Sequence, residues 1–216
     1  MQTITLHDAA PVTLEIAAVI VENQALLGEI DGATGDGDHG INMAKGFRLV
    51  TERLSGKDFD LRLGLATIGD TLLGDIGGSM GPLYGSFFIE MSDALDGTDR
   101  LDRDRVAAML KAGEAAIVDL GEAKPGDKTL IDVLTPARAA YDAAAADGAD
   151  LTLCLQALQA ASARGLEATR DMVAKLGRAA RLGERSRGTL DAGACSCNLI
   201  LQAFADGLLT RLKTAT

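Results

Sequence analysis

Apolar residues recur at helical spacing along almost the whole chain, and the apolar–polar alternation of a half-buried strand hardly occurs. Val12, Ile16, Val19, Ile20, Leu26, Leu27 and Ile30 fit one face of a helix that ends near Gly32. Further segments run over 41–54, over 61–73, from Gly81-Pro82 to Leu95, over 103–120, 128–146 and 151–175, and from about Ala192 to Leu212. Pro82 suits a first helical turn. The pattern predicts eight helices and no strand, an all-α bundle or barrel. Alanine and leucine dominate, aromatics are 3% and tryptophan is absent, which suits helices packed closely through small side chains. A chain of 216 residues is expected to form a single domain over 1–216.

The glycines concentrate between these helices, in 32–40, 77–81, 121–126 and 183–193. In an up-and-down helical protein alternate loops fall at the same end. The loops after the first, third, fifth and seventh helices are the four glycine-rich ones. One such loop is punctuation; four at one end predict a site.

The first loop carries the sharpest chemistry. Asp31, Asp36 and Asp38 lie within eight residues, and Gly32, Gly35, Gly37 and Gly40 let the backbone turn tightly enough to converge them. Converged carboxylates repel unless a hard cation sits among them, and oxygen-only ligands suit magnesium or calcium. A solvated acidic turn would have the same sequence. A calcium-binding EF-hand does not: counted from Asp36, the fifth position is Gly40 and the twelfth is Phe47. Magnesium commonly completes its shell with substrate phosphates, so a nucleotide is the expected companion.

Gly77-Gly78-Ser79-Met80-Gly81 precedes a helix whose free N–H groups can receive an anion, with Ser79 either capping that helix or binding phosphate. The stretch Gly121 to Thr129 is not a Walker A loop, because Asp127 separates Gly126 from Lys128 and a helix precedes it. There Asp127 or Thr129 is expected to cap the next helix, and Lys128 to lie on the surface. The fourth loop holds Arg178, Arg181, Arg185 and Arg187 in an otherwise acidic chain, groups suited to phosphate. His39 adjoins the carboxylates and could bond a phosphate oxygen or a metal ligand.

The net charge of −10 argues against a nucleic-acid partner. It does not exclude a nucleotide, since a divalent metal inverts the local sign. No stretch approaches eighteen consecutive apolar residues, so no membrane span is expected. Cys154, Cys195 and Cys197 cannot all pair with one another, and Cys195 and Cys197 read as small core-facing residues. A cytoplasmic chain with reduced thiols is the expectation.

The blocks Gly35 to Met43, Gly77 to Gly85, Gly126 to Thr129 with Asp132, and Leu182 to Ser186 with Asp191 to Ala194 together resemble the L subunit family of dihydroxyacetone kinase. They occur in family order across nearly the entire chain. The resemblance implies an eight-helix up-and-down antiparallel barrel with ADP or ATP bound at one rim. It places two Mg2+ ions on Asp31, Asp36 and Asp38, and nucleotide contacts on His39, Gly40, Ile41, Asn42, Gly78, Ser79, Met80, Gly121, Leu130, Arg178, Asp191, Ala192 and Gly193. No general base is assigned to the chain. The implied partner is a separate ketose-binding K subunit that receives the phosphoryl group, with a phosphotransferase-system phosphocarrier where bound ADP is rephosphorylated in place. A homodimer stays open, as does the identity of the ketose. Met80, Leu130 and Ala192 depart from the residues usual in the family and leave the metal ligands untouched. Two other readings stand beside this one: a nucleotide-binding regulator that transfers nothing, and the nucleotide domain of a fatty-acid-kinase-like system.

Overall fold

A computed structural model describes residues 2–214. Among them the helices are α1 (Pro11–Glu22), α2 (Gln24–Gly32), α3 (His39–Leu54), α4 (Leu61–Asp75), α5 (Met80–Asp93), α6 (Arg103–Gly121), α7 (Ile131–Ala146), α8 (Leu151–Ala168) and α9 (Ala192–Thr214). From α3 onward each helix packs on the next, and α9 returns to pack on α1, which itself lies against α3. The result is a closed ring of antiparallel neighbours, the all-α barrel expected.

The first expected helix is two. Asn23 leaves helical geometry and α2 departs from α1 by 52°. The Asn23 amide donates to the Val19 carbonyl at 2.8 Å, closing α1 with a side chain where the backbone ladder stops. The apolar pattern continues through the bend, so periodicity alone does not reveal it. The bend brings the end of α2 over the rim, where Asp31 is needed.

Two short strands depart from the all-helical expectation. β1 (Ile4–Thr5) and β2 (Arg100–Leu101) form a short antiparallel pair, with Ile4 opposite Leu101. It ties the N-terminal segment to the connection between α5 and α6, and Ile4 and Leu101 are both buried.

The core fills the ring with Ile16, Phe47, Leu65, Phe88, Met109, Leu134, Leu155 and Phe204, each 1% exposed or less. Full burial of one such side chain stabilises by roughly 1.5–3 kcal/mol. Phe87 and Phe88 meet edge to face at 5.1 Å. Small residues set the helix spacing. A Cβ on Gly69 of α4 would come within 2.9 Å of the Gly85 carbonyl oxygen on α5, so these two backbones touch only because glycine stands at the crossing. The last helix, α9, is long and apolar enough to cross a bilayer by length and composition. However, 61% of that apolar stretch is buried inside the ring, against α1 and α8.

Two helix ends differ from expectation for local reasons. α7 begins at Ile131 rather than 128, because Lys128 adopts φ 60°, outside the helical region. α8 stops at Ala168 and passes through a 3-10 turn, Thr169–Asp171. There the Thr169 hydroxyl bonds the Leu166 carbonyl and accepts the Asp191 N–H, fastening the chain to the start of α9.

Candidate metal centre

Up-and-down order puts the starts of α3, α5, α7 and α9 at one end of the ring, and contacts join the fourth glycine-rich loop to the first and the third. Arg178 of the fourth loop pairs with Asp36 of the first. Lys175 lies 3.3 Å from Asp127 of the third.

At this end Asp31, Asp36 and Asp38 converge. One carboxylate oxygen from each falls within 4.8 Å of the others. Asp31 comes from the last turn of α2, and the loop folds back over it. The Gly35 N–H reaches the Asp31 carbonyl at 2.5 Å, and a Cβ on Gly35 would collide with the Asp31 carboxylate. Gly37 supplies the positive φ, 78°, that turns the chain toward α3. The backbone N–H of His39 donates to an Asp31 carboxylate oxygen at 3.3 Å. Three oxygen donors with no thiol or imidazole among them fit a hard dication. Opposing them, the Arg178 guanidinium sits on Asp36 and 3.9 Å from Asp38, with all three side chains about half exposed.

Around the cluster, several helix starts keep unbonded N–H groups. Among the described residues the backbone N–H groups of Gly40 and Ile41 on α3, Met80 and Gly81 on α5, and Ala192 and Gly193 on α9 have no hydrogen-bond partner. Ser79 stands at the start of α5 without capping it. Such a set of N–H groups is suited to anionic oxygen. By contrast α7 is fully used: Asp132 accepts the Gly126 and Thr129 N–H groups, and the Thr129 hydroxyl accepts from Ile131. Neither residue of the expected pair stands at the helix boundary, which is Leu130 without a side-chain cap; Thr129 holds the Ile131 N–H from one position before it. Asp127 instead takes the Lys124 N–H, which with Lys175 holds its carboxyl below the usual range.

His39 is 6% exposed, and burial pushes its pKa down to about 4, with the Asp31 charge opposing the shift. Its ring meets Ser196 of α9 rather than a metal ligand; the backbone makes the bond to Asp31. Asp191 accepts the Ala194 N–H at 2.7 Å, and burial pushes its carboxyl up to about 6 against that bond. Gly193 stands beside Leu130, 3.8 Å from the Leu130 nitrogen for a Cβ placed there. The structure thus gathers Asp31, Asp36, Asp38, His39 and Arg178, and sets Leu130 against Gly193. Gly78, Ser79, Met80 and Gly121 share the rim, without a hydrogen bond or ion pair to the carboxylates among the described residues. Asn42 donates its N–H to the Asp38 carbonyl, the first bond of α3.

Lys128 corrects the surface expectation. It is 1% exposed, and its ammonium donates to the carbonyls of Met172, Ser186 and Thr189. Burial lowers its pKa, with the Asp191 charge opposing. It braces the fourth loop, and no spacing in the sequence signals this. Cys195 and Cys197 are buried as expected, and burial pushes the Cys195 thiol up to about 11 and Cys197 higher, so neither is a ready nucleophile.

Comparison with known proteins gives a consistent set of relatives. The DAK2 domain family matches residues 33–206. The chain is 36% identical over 185 residues to the "PEP-dependent dihydroxyacetone kinase, ADP-binding subunit DhaL" of Escherichia coli, spanning 85% of this chain and 88% of that protein. It is 40% identical over 186 residues to "PEP-dependent dihydroxyacetone kinase 1, ADP-binding subunit DhaL" of Listeria innocua, spanning 86% and 88%. Among solved structures, the dihydroxyacetone kinase from C. freundii in complex with AMP-PNP and Mg2+ superposes with a TM-score of 0.70 at 27% identity. That match covers 92% of this chain and a third, 33%, of the longer one.

Proposed function

This chain belongs to the DAK2 domain family, among the ADP-binding L subunits of dihydroxyacetone kinase, and from that we propose that it is the nucleotide-carrying half of a two-part ketose kinase. It binds an adenine nucleotide and works with a separate subunit that holds dihydroxyacetone or a related ketose. The observation that carries this reading is the convergence of Asp31, Asp36 and Asp38 within 4.8 Å beside helix starts with free N–H groups.

In this reading Asp31, Asp36 and Asp38 would hold two magnesium ions. Bound there, the metal supplies neutralisation of the charge that shifts as the terminal phosphoryl leaves. The N–H groups of Gly40, Ile41, Met80, Ala192 and Gly193 hold phosphate oxygens in place, and Arg178 leaves Asp36 for an anionic oxygen of the nucleotide. Gly78, Ser79, Gly121, Leu130 and Asp191 complete the contacts on the rim. These groups are fixed before the reaction, so they orient the phosphoryl group with little rearrangement. The chain contributes no general base. The relatives named PEP-dependent and ADP-binding support ADP as the nucleotide held, and we take a phosphocarrier protein as the source of the phosphoryl group in this reading. A homodimer is not required by any step.

The test is calorimetry of ADP binding with Mg2+ and with chelator, alongside a coupled assay of dihydroxyacetone phosphorylation with and without the K subunit. The expected result is tight binding only with metal and turnover only with the partner. Equal ADP affinity in chelator would remove the metal from the reading, and ketose turnover by the isolated chain would remove the division of labour. Mass analysis of nucleotide released from purified protein distinguishes resident ADP from exchanging ATP.

A further inference from the structure

Beneath the rim, polar side chains from three helices meet inside the ring: His39 of α3, Tyr84 of α5 and Ser196 of α9. His39 Nε2 lies 2.9 Å from Ser196 Oγ, and Ser196 Oγ lies 2.7 Å from the Tyr84 hydroxyl. Both hydroxyls also reach the Gly193 carbonyl, Tyr84 at 3.0 Å and Ser196 at 3.1 Å. Ser196 is fully buried and Tyr84 is 2% exposed, so these groups must find their hydrogen-bond partners among themselves.

Counting protons decides how. Each hydroxyl has one to give. If Nε2 carries a proton, the ring donates to Ser196, and the Ser196 and Tyr84 protons serve two of the remaining contacts. Three of the four are then hydrogen bonds. If Nε2 is bare, Ser196 must turn its proton to the ring and Tyr84 supplies only one more, so two remain bonded. Buried polar contacts left without a proton are costly, which favours the first arrangement. The same two hydroxyls hold the Gly193 carbonyl, so one cluster fixes both a ring beside Asp31 and the start of α9. Nδ1 makes no hydrogen bond among the described residues.

We infer that Ser196, backed by Tyr84, is a positioning residue that holds His39 as its Nε2-protonated tautomer and keeps Nδ1 as an acceptor for an O–H donor of the bound magnesium–nucleotide. That donor is a metal-bound water or a sugar hydroxyl. The ring then does not donate to phosphate; its backbone and its acceptor nitrogen face the ligand. This rests on the proposed nucleotide site, but the tautomer itself does not.

The experiment is nitrogen NMR of the imidazoles in the whole chain labelled at histidine. There are only two histidines, and His7, exposed at the opposite end, is identified by His7→Gln. In the wild type, without ligand, His39 is expected to show a protonated-type shift at Nε2 and an unprotonated-type shift at Nδ1. A proton on Nδ1, or a charged ring, overturns the inference whether or not any variant folds. Ser196→Ala removes the acceptor, so the two tautomers should mix and Mg-ADP affinity should fall about tenfold, the scale on which partners of ligand-holding histidines act. Ser196→Thr, which keeps the hydroxyl, should restore both, and Tyr84→Phe should give a smaller loss with Nε2 still protonated. An unchanged tautomer or unchanged affinity in folded Ser196→Ala overturns the positioning role. A shift of Nδ1 on adding Mg2+ alone assigns the donor to metal-bound water; a shift only with Mg-ADP assigns it to the nucleotide. No shift with either overturns the acceptor role. Failure of wild-type ADP binding would instead strike the nucleotide reading and leave the tautomer standing.

Discussion

The two ends of the ring begin their helices differently. At the end that carries the β1–β2 pair, α4, α6 and α8 each start at an aspartate that caps its helix. Asp60 takes the Leu63 N–H, Asp102 the Arg105 N–H and Asp150 the Leu153 N–H, at 2.8, 2.8 and 2.9 Å. At the other end α3 and α5 start at Asp38 and Ser79, residues of equally good capping chemistry, and neither side chain makes the bond. The difference fits the proposed use: α3 and α5 leave their first N–H groups open at the end where the nucleotide is proposed to bind, while α4, α6 and α8 close theirs.

The strongest way to break this comparison is to remove charge from the open end. Asp36→Asn should keep the fold, because the residue is exposed in a loop and packs against no core. Phosphoryl transfer with the K subunit should nevertheless fall on the order of 100–1000-fold, the scale of losing one preorganised charge-stabilising group. Circular dichroism with the coupled assay checks both halves. Full activity in the folded variant would remove Asp36 from the site.

Asp191 belongs to both worlds, since it caps α9 yet sits at the open end. Its folded-state pKa of about 6 lies above the ordinary carboxylate value because burial disfavours its charge. The stability contributed by its protonated form is fully present below about pH 4 and is lost as pH rises through about 6. Two pKa units amount to on the order of 2–3 kcal/mol as an upper bound. Asp191→Asn retains an acceptor for Ala194 and cannot ionise. The stability of wild type relative to this variant should therefore decline between pH 4 and 7 in urea titrations. A difference independent of pH would show that Asp191 is not the group that the open end strains.

Much of this architecture is legible in the sequence because it is local. Periodicity gives the helices, alternation of loops gives the shared end, and Asp31, Asp36 and Asp38 are close along the chain before they are close in space. What was not legible is long-range. Ser196 meets His39 across 157 positions, and Lys128 is buried by carbonyls contributed from 172–189. Neither has a spacing signature, and lysine composition argues for the surface. The break at Asn23 was hidden for the opposite reason: apolar positions continue in register through it, so the pattern reads as one helix.

A finer test pairs one residue from each end. Asp102→Ala loses a cap bond and should cost about 1 kcal/mol of stability, as N-cap removals do, with Mg-ADP affinity unchanged. Ser79→Ala has no cap bond to lose and should leave stability within ~0.5 kcal/mol while weakening nucleotide binding severalfold. Urea midpoints and calorimetry read the two quantities on the same samples. A stability loss for Ser79→Ala equal to that of Asp102→Ala would mean that both ends cap alike, and the contrast between them would fail.

The smallest effect concerns what holds the carboxylates before a ligand arrives. Arg178 is paired with Asp36 and near Asp38, so its positive charge competes with a cation for these carboxylates. All three side chains are about half exposed, so solvent screens the pair and its worth is ~0–1 kcal/mol. Arg178→Ala should therefore tighten the binding of metal alone by no more than a few-fold, because one competing positive charge is gone. The same variant should weaken Mg-ADP, because the guanidinium that leaves Asp36 is proposed to meet an anionic oxygen of the nucleotide. The two measurements move in opposite directions, which a general loss of structure cannot imitate. Both should shrink at higher ionic strength, as screened surface charges do. If metal binding alone weakens in Arg178→Ala, the arginine supports the carboxylates instead of competing for them. The open end would then be held together by its own ion pair and not arranged for an incoming cation.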